Sequence, residues 1–413
     1  MTRSASLRTA AAIAAAGVAT LLAFALLPPQ RILSRTGPGD MELYFDYAER
    51  TLDGQVPYRD FYLEYPPGFL PVMLAAGPAG DGYYDRFRLL MLGLGAAAIV
   101  LIVVALFNAG ANAAELAAGV LVPATLPLML NPGVVFERYD FWPAALVLLS
   151  VVALLRGRRV IGFAALGVGA VAKLYPLAIL PIAVLAERSR THLRRHLILG
   201  ALPALALVLP FAILAPRGLG HVGTVLVRRP LHSESLGGSI MLVAERLGVY
   251  DATVYYSIGN SWDLAGTAPK VVAVVGSFVE AAAIVAVWLL FARGPREPRD
   301  LLLAVAAVVV GFVAFGKVLS PQYMVWVVAA VPLALGRVRP FALGATVAAA
   351  LLTLYVYGWS YFDLLAAGPT SWVMLARNLI LVALFCSLLL ELAARGRARA
   401  VTSTTAAATA APP

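Results

Sequence analysis

The chain has 413 residues, of which 61% are hydrophobic and only 13% charged, with a mean hydropathy of +0.85, an apolar excess that rules out an ordinary soluble domain. Its net charge of +10 would suit a nucleic-acid binder in a soluble chain. Here, however, the basic residues fall in short clusters between apolar runs, the footprint of cytoplasmic loops in a polytopic membrane protein, and the single Cys386 excludes an intramolecular disulfide.

In chain order, Met1 to Arg8 precede an apolar run over about 9–28. This run is longer than the apolar core of a cleaved signal and reads as an uncleaved first helix. The segment 29–87 is unlike the rest of the chain. It opens with Gly37-Pro38-Gly39-Asp40-Met41-Glu42-Leu43-Tyr44 and closes with Tyr58-Arg59-Asp60-Phe61-Tyr62-Leu63-Glu64-Tyr65-Pro66-Pro67-Gly68, so carboxylates, tyrosines and turn formers crowd beside the bilayer. Pro66 to Ala79 is apolar but broken by Pro71, Gly77 and Pro78, which predicts a helix on or dipping into the interface.

Further apolar runs lie at 88–107, 112–130, 141–155 and 160–186. The last is anomalous. A single crossing would put Arg156-Gly157-Arg158-Arg159 and the cluster Arg188, Arg190, Arg194 and Arg195 on opposite sides, against the positive-inside tendency. Lys173-Leu174-Tyr175-Pro176 interrupts it at the middle, where Pro ends a helix. Two helices of about 13 residues, each about 20 Å long, would form a hairpin with Lys173 at its tip. The remaining runs are 197–215, 270–292, 300–316, 321–336, 341–357 and 372–394.

The expected fold is therefore an all-α polytopic membrane protein of about 12 transmembrane helices, both termini cytoplasmic, with extracytoplasmic loops forming the site. Residues 1–215 form one transmembrane module containing the outer loop 29–87. Residues 216–398 form a second, with an irregular outer loop 216–269, and 399–413 form a low-complexity, disordered tail.

On this topology the polar outliers share the outer face: Asp40, Glu42 and Glu64, then Glu137-Arg138-Tyr139-Asp140, Lys173, His232 and Glu234, and Lys317 with Gln322 and Tyr323. Carboxylates facing Arg, Lys and His suit a reaction in which a base deprotonates a hydroxyl and cations stabilise a departing phosphate. Plainer roles exist for each: Asp40 as a helix N-cap, Arg138 paired with Asp140, Lys173 and Lys317 reaching for the interface. If Asp40 starts a helix, Glu42 lies about 200° around it, so only one of the two acids would face a substrate readily. No phosphate-binding Gly-rich loop, His-Glu-x-x-His or Gly-x-Ser-x-Gly motif is present, and four histidines with one cysteine argue against a transition-metal centre. An activated donor would have to be lipid-borne.

The ordered set of Asp40, Tyr44, Gly54 with Pro57-Tyr58, Tyr65-Pro66-Pro67, Arg138-Tyr139-Asp140, Ala172-Lys173-Leu174-Tyr175-Pro176 and Ser320-Pro321-Gln322-Tyr323 resembles glycosyltransferase family 87, over roughly 36–330. That group comprises GT-C fold transferases using polyprenyl-phosphate sugars, among them alpha-mannosyltransferases and arabinofuranosyltransferases. The resemblance implies inverting transfer of a hexose or pentose, mannose first among them, to a cell-envelope lipid or glycan on the outer side of the plasma membrane. It implies Asp40 as general base, with Glu42 the alternative because Asp40-Met41-Glu42 departs from the two-carboxylate pattern of some relatives. Arg138, Lys173, Lys317 and His232 would hold the donor phosphate. Tyr44, Glu64, Tyr65, Asp140, Gln322 and Tyr323 would line the sugar or acceptor pocket. No metal and no cofactor are implied. A transporter or flippase of lipid-linked sugars is the competing class; such proteins place ionisable groups at the midplane of symmetry-related broken helices, whereas here they gather at one face. A polymerase or ligase of lipid-linked glycans would need several arginines in an outer loop, of which Arg217, Arg228, Arg229 and Arg246 are a hint.

Overall fold

A computed structural model describes residues 3–26, 40–78, 80–187, 190–257 and 260–409. The expected Gly37-Pro38-Gly39 turn lies outside them. Helices dominate. Seven are long and apolar enough to cross a membrane: Ser6–Leu26, Tyr83–Asn108, Thr191–Leu214, Thr267–Arg293, Pro298–Phe315, Arg339–Trp359 and Thr370–Arg397. Five shorter apolar helices accompany them, Ala113–Ala124, Phe141–Leu155, Arg159–Ala172, Tyr175–Ala186 and Pro321–Leu333. Each falls on an apolar run read from the sequence, and together they make an all-α polytopic membrane protein.

Proline explains why several are short. Pro123 and Pro127 break the expected 112–130 run after Ala124, and Pro332 tightens the end of Pro321–Leu333 into a 3₁₀ turn. Pro298–Phe315 is apolar all round and 78% buried, which marks it as the centre of the bundle, whereas only 6% of Thr191–Leu214 is buried and the rest is available to lipid. The last helix continues to Thr409, into the segment expected as a disordered tail; residues 410–413 lie outside the described residues.

Polar contacts sort the helix ends into two groups. At one end, reciprocal capping by Asn112 with Glu115 and by Glu297 with Asp300 starts two helices. Arginines then tie the turns together: Arg299 donates to the Gly110 carbonyl at 2.9 Å, Arg339 to that of Glu115, Arg296 to that of Leu185 at 3.3 Å and Arg395 to that of Leu335 at 2.6 Å. At the opposite end meet the segments around Asp40, Arg138, Lys173, His232, Lys317 and Tyr357.

The hairpin over 159–187 is present. Its two ends meet, with Arg159 Nε 3.4 Å from Glu187 Oε2, and Lys173 stands at the tip in extended backbone, φ −149° and ψ 150°. With Cys386 replaced by Ser, cysteines placed at exposed Arg158 and Thr191 are expected to react with an impermeant maleimide from one and the same side of the membrane; labelling from opposite sides would contradict the hairpin.

Two expectations for the loops need correcting. The segment expected as a helix on or dipping into the interface packs against the protein instead of standing clear of it: a turn at Pro67–Phe69 and a helix at Leu70–Ala75 bury Phe69, Leu70, Val72 and Met73, and Ala79 lies outside the described residues. Gly68 makes this possible, because any Cβ there would stand 2.6 Å from the Val171 carbonyl carbon and oxygen at the end of the hairpin's first helix. Nor is 216–269 irregular. It holds helices at Pro216–Arg228 and Leu236–Arg246 and a small antiparallel sheet of β1 (Leu231–His232), β2 (Thr253–Ser257) and β3 (Ser261–Ala265), in the order β1-β3-β2.

Candidate functional site

The loop helix Met41–Leu52 begins immediately after Asp40, whose side chain makes no capping hydrogen bond. Instead its Oδ2 accepts from the Tyr44 and Tyr65 hydroxyls, each at 3.2 Å, and pairs with Arg138. Behind it Tyr44, Tyr65, Phe69 and Tyr139 pack ring against ring, with centroids 4.7–6.1 Å apart. This aromatic block fixes the carboxylate from the rear while its front opens on a polar cavity of about 480 Å³.

Lys173 enters from the hairpin tip. Its Nζ lies 2.9 Å from Asp140 Oδ1 and over the rings of Tyr139, Trp326 and Tyr323, at 4.5, 5.2 and 5.4 Å from their centroids. A buried carboxylate and three π faces hold the ammonium at the cavity wall. The plainer readings thus fail: Arg138 pairs with Asp40 rather than Asp140, and Lys173 does not reach for the interface.

Other loops complete the cavity. Asn260 Nδ2 donates to Glu64 Oε2 at 3.0 Å, joining the two long loops. Arg229 donates to Ser261 Oγ at 3.0 Å, and that hydroxyl bonds the buried Asp263 carboxylate, so the sheet orients the guanidinium. The His232 backbone N–H donates to the Lys317 carbonyl at 3.0 Å, tying β1 to the segment that carries Gln322 and Tyr323. Glu64, Tyr65, Lys173, Arg229 and Tyr323 line both this cavity and a neighbouring chamber of about 270 Å³. The chamber walls include Leu174, Leu226, Phe312, Val318 and Trp326, with Lys317 and Glu280 among them.

Of the residues given a role in the site from sequence, Asp40, Glu42, Glu64, Tyr65, Arg138, Lys173, His232, Gln322 and Tyr323 line the polar cavity. Three do not. Lys317 lies in the apolar chamber, its Nζ donating to the Val227 carbonyl at 2.7 Å. Tyr44 and Asp140 are each 1% exposed and sit behind the wall, where Tyr44 donates to Asp40 and Asp140 pairs with Lys173. The exclusion of one acid by helical spacing also fails. Asp40 precedes the helix, so the wheel does not govern it, and Glu42 reaches the cavity as well, though more exposed.

His232 brings no positive charge: burial, aided by Arg229, pushes its imidazole down to about 3, so it is neutral at physiological pH. Burial raises Glu64, and it pushes Glu234 up to about 7. Glu234 accepts from the Tyr361 hydroxyl at 3.0 Å, and Arg377 and Asn378 donate to its carbonyl. Because its folded value stands above the ordinary 4.5, Glu234 favours the folded state most below pH 4.5, and that contribution is lost as pH rises to 7. Glu234→Gln is therefore expected to flatten the fall in thermal midpoint between pH 5 and 8; an unchanged profile would show that Glu234 does not titrate there.

Sequence reasoning gave no role to Tyr256, Asn260, Ser261, Trp262, Tyr357 or Tyr361, and named Arg229 only among the arginines of the polymerase or ligase alternative; all seven line the polar cavity. Arg229 had a signal, the Arg228-Arg229-Pro230 run, and Tyr357 and Tyr361 stand out as an aromatic series at a helix end, whereas Tyr256 lies on β2. No metal-binding group of three or more His, Cys, Asp or Glu side chains occurs among the described residues. No family model matches the chain, and no curated protein matches it.

Proposed function

We propose that the protein is a GT-C type glycosyltransferase that moves a sugar, mannose first among hexoses and pentoses, from a polyprenyl-phosphate donor to a cell-envelope lipid or glycan. The reading takes the seven long and five short apolar helices as twelve crossings with the Arg-rich end cytoplasmic, so that the cavity opens outside the plasma membrane. One observation carries it: a polar cavity holding Asp40 shares a wall bearing Lys173 and Arg229 with an apolar chamber. An amphiphile with a sugar, a phosphate and an isoprenoid chain has the same order of polarity.

On this reading the chain enters the chamber beside Phe312 and Trp326, and the phosphate rests against Lys173, Arg229 and Lys317. The sugar occupies the polar cavity near Glu64, Gln322 and Tyr323. Asp40 takes the proton of the acceptor hydroxyl as its oxygen bonds to the sugar's anomeric carbon. The bond from that carbon to the phosphate oxygen breaks with its electron pair on the oxygen, releasing polyprenyl phosphate with inversion. Arg138 holds the Asp40 carboxylate in place until the acceptor arrives. Neutral His232 would serve as a hydrogen-bonding wall and not as a counter-ion.

Membranes containing the protein are expected to transfer labelled sugar from one member of a panel of polyprenyl-phosphate sugars, mannose and arabinofuranose included, to endogenous acceptors. Absence of transfer with every member, at full expression, would count against the reading.

A further inference from the structure

A third concavity, of about 750 Å³, lies outside the site, between the loop helix Pro216–Arg228, the sheet and the membrane helix Thr267–Arg293. Its floor is apolar, formed by Leu231, Leu264, Ala273, Val274, Phe278 and Ala281. Its cations are Arg228, Arg229, Lys270 and Lys317, and no carboxylate lines it. Among the described residues no ion pair joins Arg228 or Lys270 to an acid.

Two features point to a ligand. Lys270 stands in the first turn of a 27-residue helix that has no acid there, where its charge opposes the positive end of the helix dipole. Lys270 and Arg228 are both exposed, so an anion arriving from outside can pair with them. The groove also continues onto the bilayer-facing side of the same helix, where Val271 and Val274 are each 56% exposed and Phe278 is 72% exposed. An occupant therefore carries negative charge at the helix end and hydrocarbon along the helix, and it comes from the membrane.

We propose that this groove is a binding site for an anionic glycerophospholipid of the surrounding bilayer, its headgroup phosphate held by Arg228 and Lys270 and its acyl chains lying along Val274 and Phe278. The groove shares Arg229 and Lys317 with the chamber assigned to the donor chain, whereas Arg228, Lys270, Val274 and Phe278 line the groove and not that chamber, and the proposal stands whether or not the protein transfers sugars.

The test is the thermal midpoint of the purified protein in detergent, titrated separately with phosphatidylglycerol, phosphatidylcholine, polyprenyl phosphate and inorganic phosphate. Phosphatidylglycerol is expected to raise it and phosphatidylcholine and inorganic phosphate are not, while any rise with polyprenyl phosphate, which the chamber would take, is expected to be the same in the variants at Arg228 and Lys270. The double substitution R228A/K270A should weaken the apparent affinity for phosphatidylglycerol about 25-fold, since each basic residue near anionic lipid contributes on the order of a fivefold gain, while R228K/K270R keeps it. If the double alanine variant does not fold, Arg228→Gln and Lys270→Gln give the same reading in single steps of about fivefold. Equal shifts with phosphatidylcholine, a shift with inorganic phosphate, a polyprenyl phosphate shift that the variants diminish, or undiminished affinity for phosphatidylglycerol in the alanine or glutamine variants would overturn the proposal.

Discussion

Replacing Asp40 with Asn is expected to lower sugar transfer by about 10²- to 10⁴-fold, the range that a positioned general base contributes, while Glu42→Gln retains turnover near that of the wild type. The difference between these acids is geometric. Asp40 is held by Tyr44, Tyr65 and Arg138 at the back of the cavity, whereas Glu42 is exposed and makes no hydrogen bond or ion pair among the described residues. Asn keeps the size of the side chain but cannot take a proton, and it replaces the carboxylate of the Asp40–Arg138 ion pair with a neutral amide. The thermal midpoint of the variant must therefore be measured alongside its rate, and Asp40→Glu supplies a second, charge-conserving comparison. Full activity in a folded Asp40→Asn protein together with its loss in Glu42→Gln would move the base to Glu42.

Lys173→Met is expected to destabilise the protein by about 3–5 kcal/mol, because it strands Asp140, 1% exposed, as an uncompensated buried charge. The double change Asp140→Asn with Lys173→Met removes both charges and should recover much of that stability, since replacing a whole buried pair costs far less than breaking one. Transfer should remain lost in the double variant, because the ammonium facing the donor phosphate is gone. Unfolding midpoints for the four members of the cycle, read beside their rates, separate the two roles. Additive stability changes would show that the pair does not couple, and restored transfer would show that Lys173 does not act on the donor.

The membrane helices were legible because lipid imposes long apolar stretches, and the hairpin because Lys173-Leu174-Tyr175-Pro176 breaks a run whose two ends both carry arginines. The gathering of Asp40, Glu64, Arg138, Lys173 and Gln322 could likewise be read from the alternation of loops. The small sheet could not: β1 is two residues long, and its pairing with β3 is set by contacts across the fold rather than by local propensity. Arg229 could be named from sequence only as one of four loop arginines, since its direction depends on Ser261 and Asp263, more than 30 residues away. Tyr44 and Asp140 were placed near the right residues but not behind the cavity wall, because spacing tells which residues come close and not which of them packing seals away from the opening.

The most direct test is stoichiometric. Purified protein in lipid nanodiscs is given polyprenyl-phosphate mannose and a lipid extract of cell envelope, and both glycosylated product and free polyprenyl phosphate are quantified. Release of polyprenyl phosphate in equal amount to new glycoside, with an inverted anomeric centre, is the expected result. Intact donor with no glycoside formed, together with translocation of that donor between leaflets once the protein is placed in sealed vesicles, would contradict the transferase account and favour a transporter.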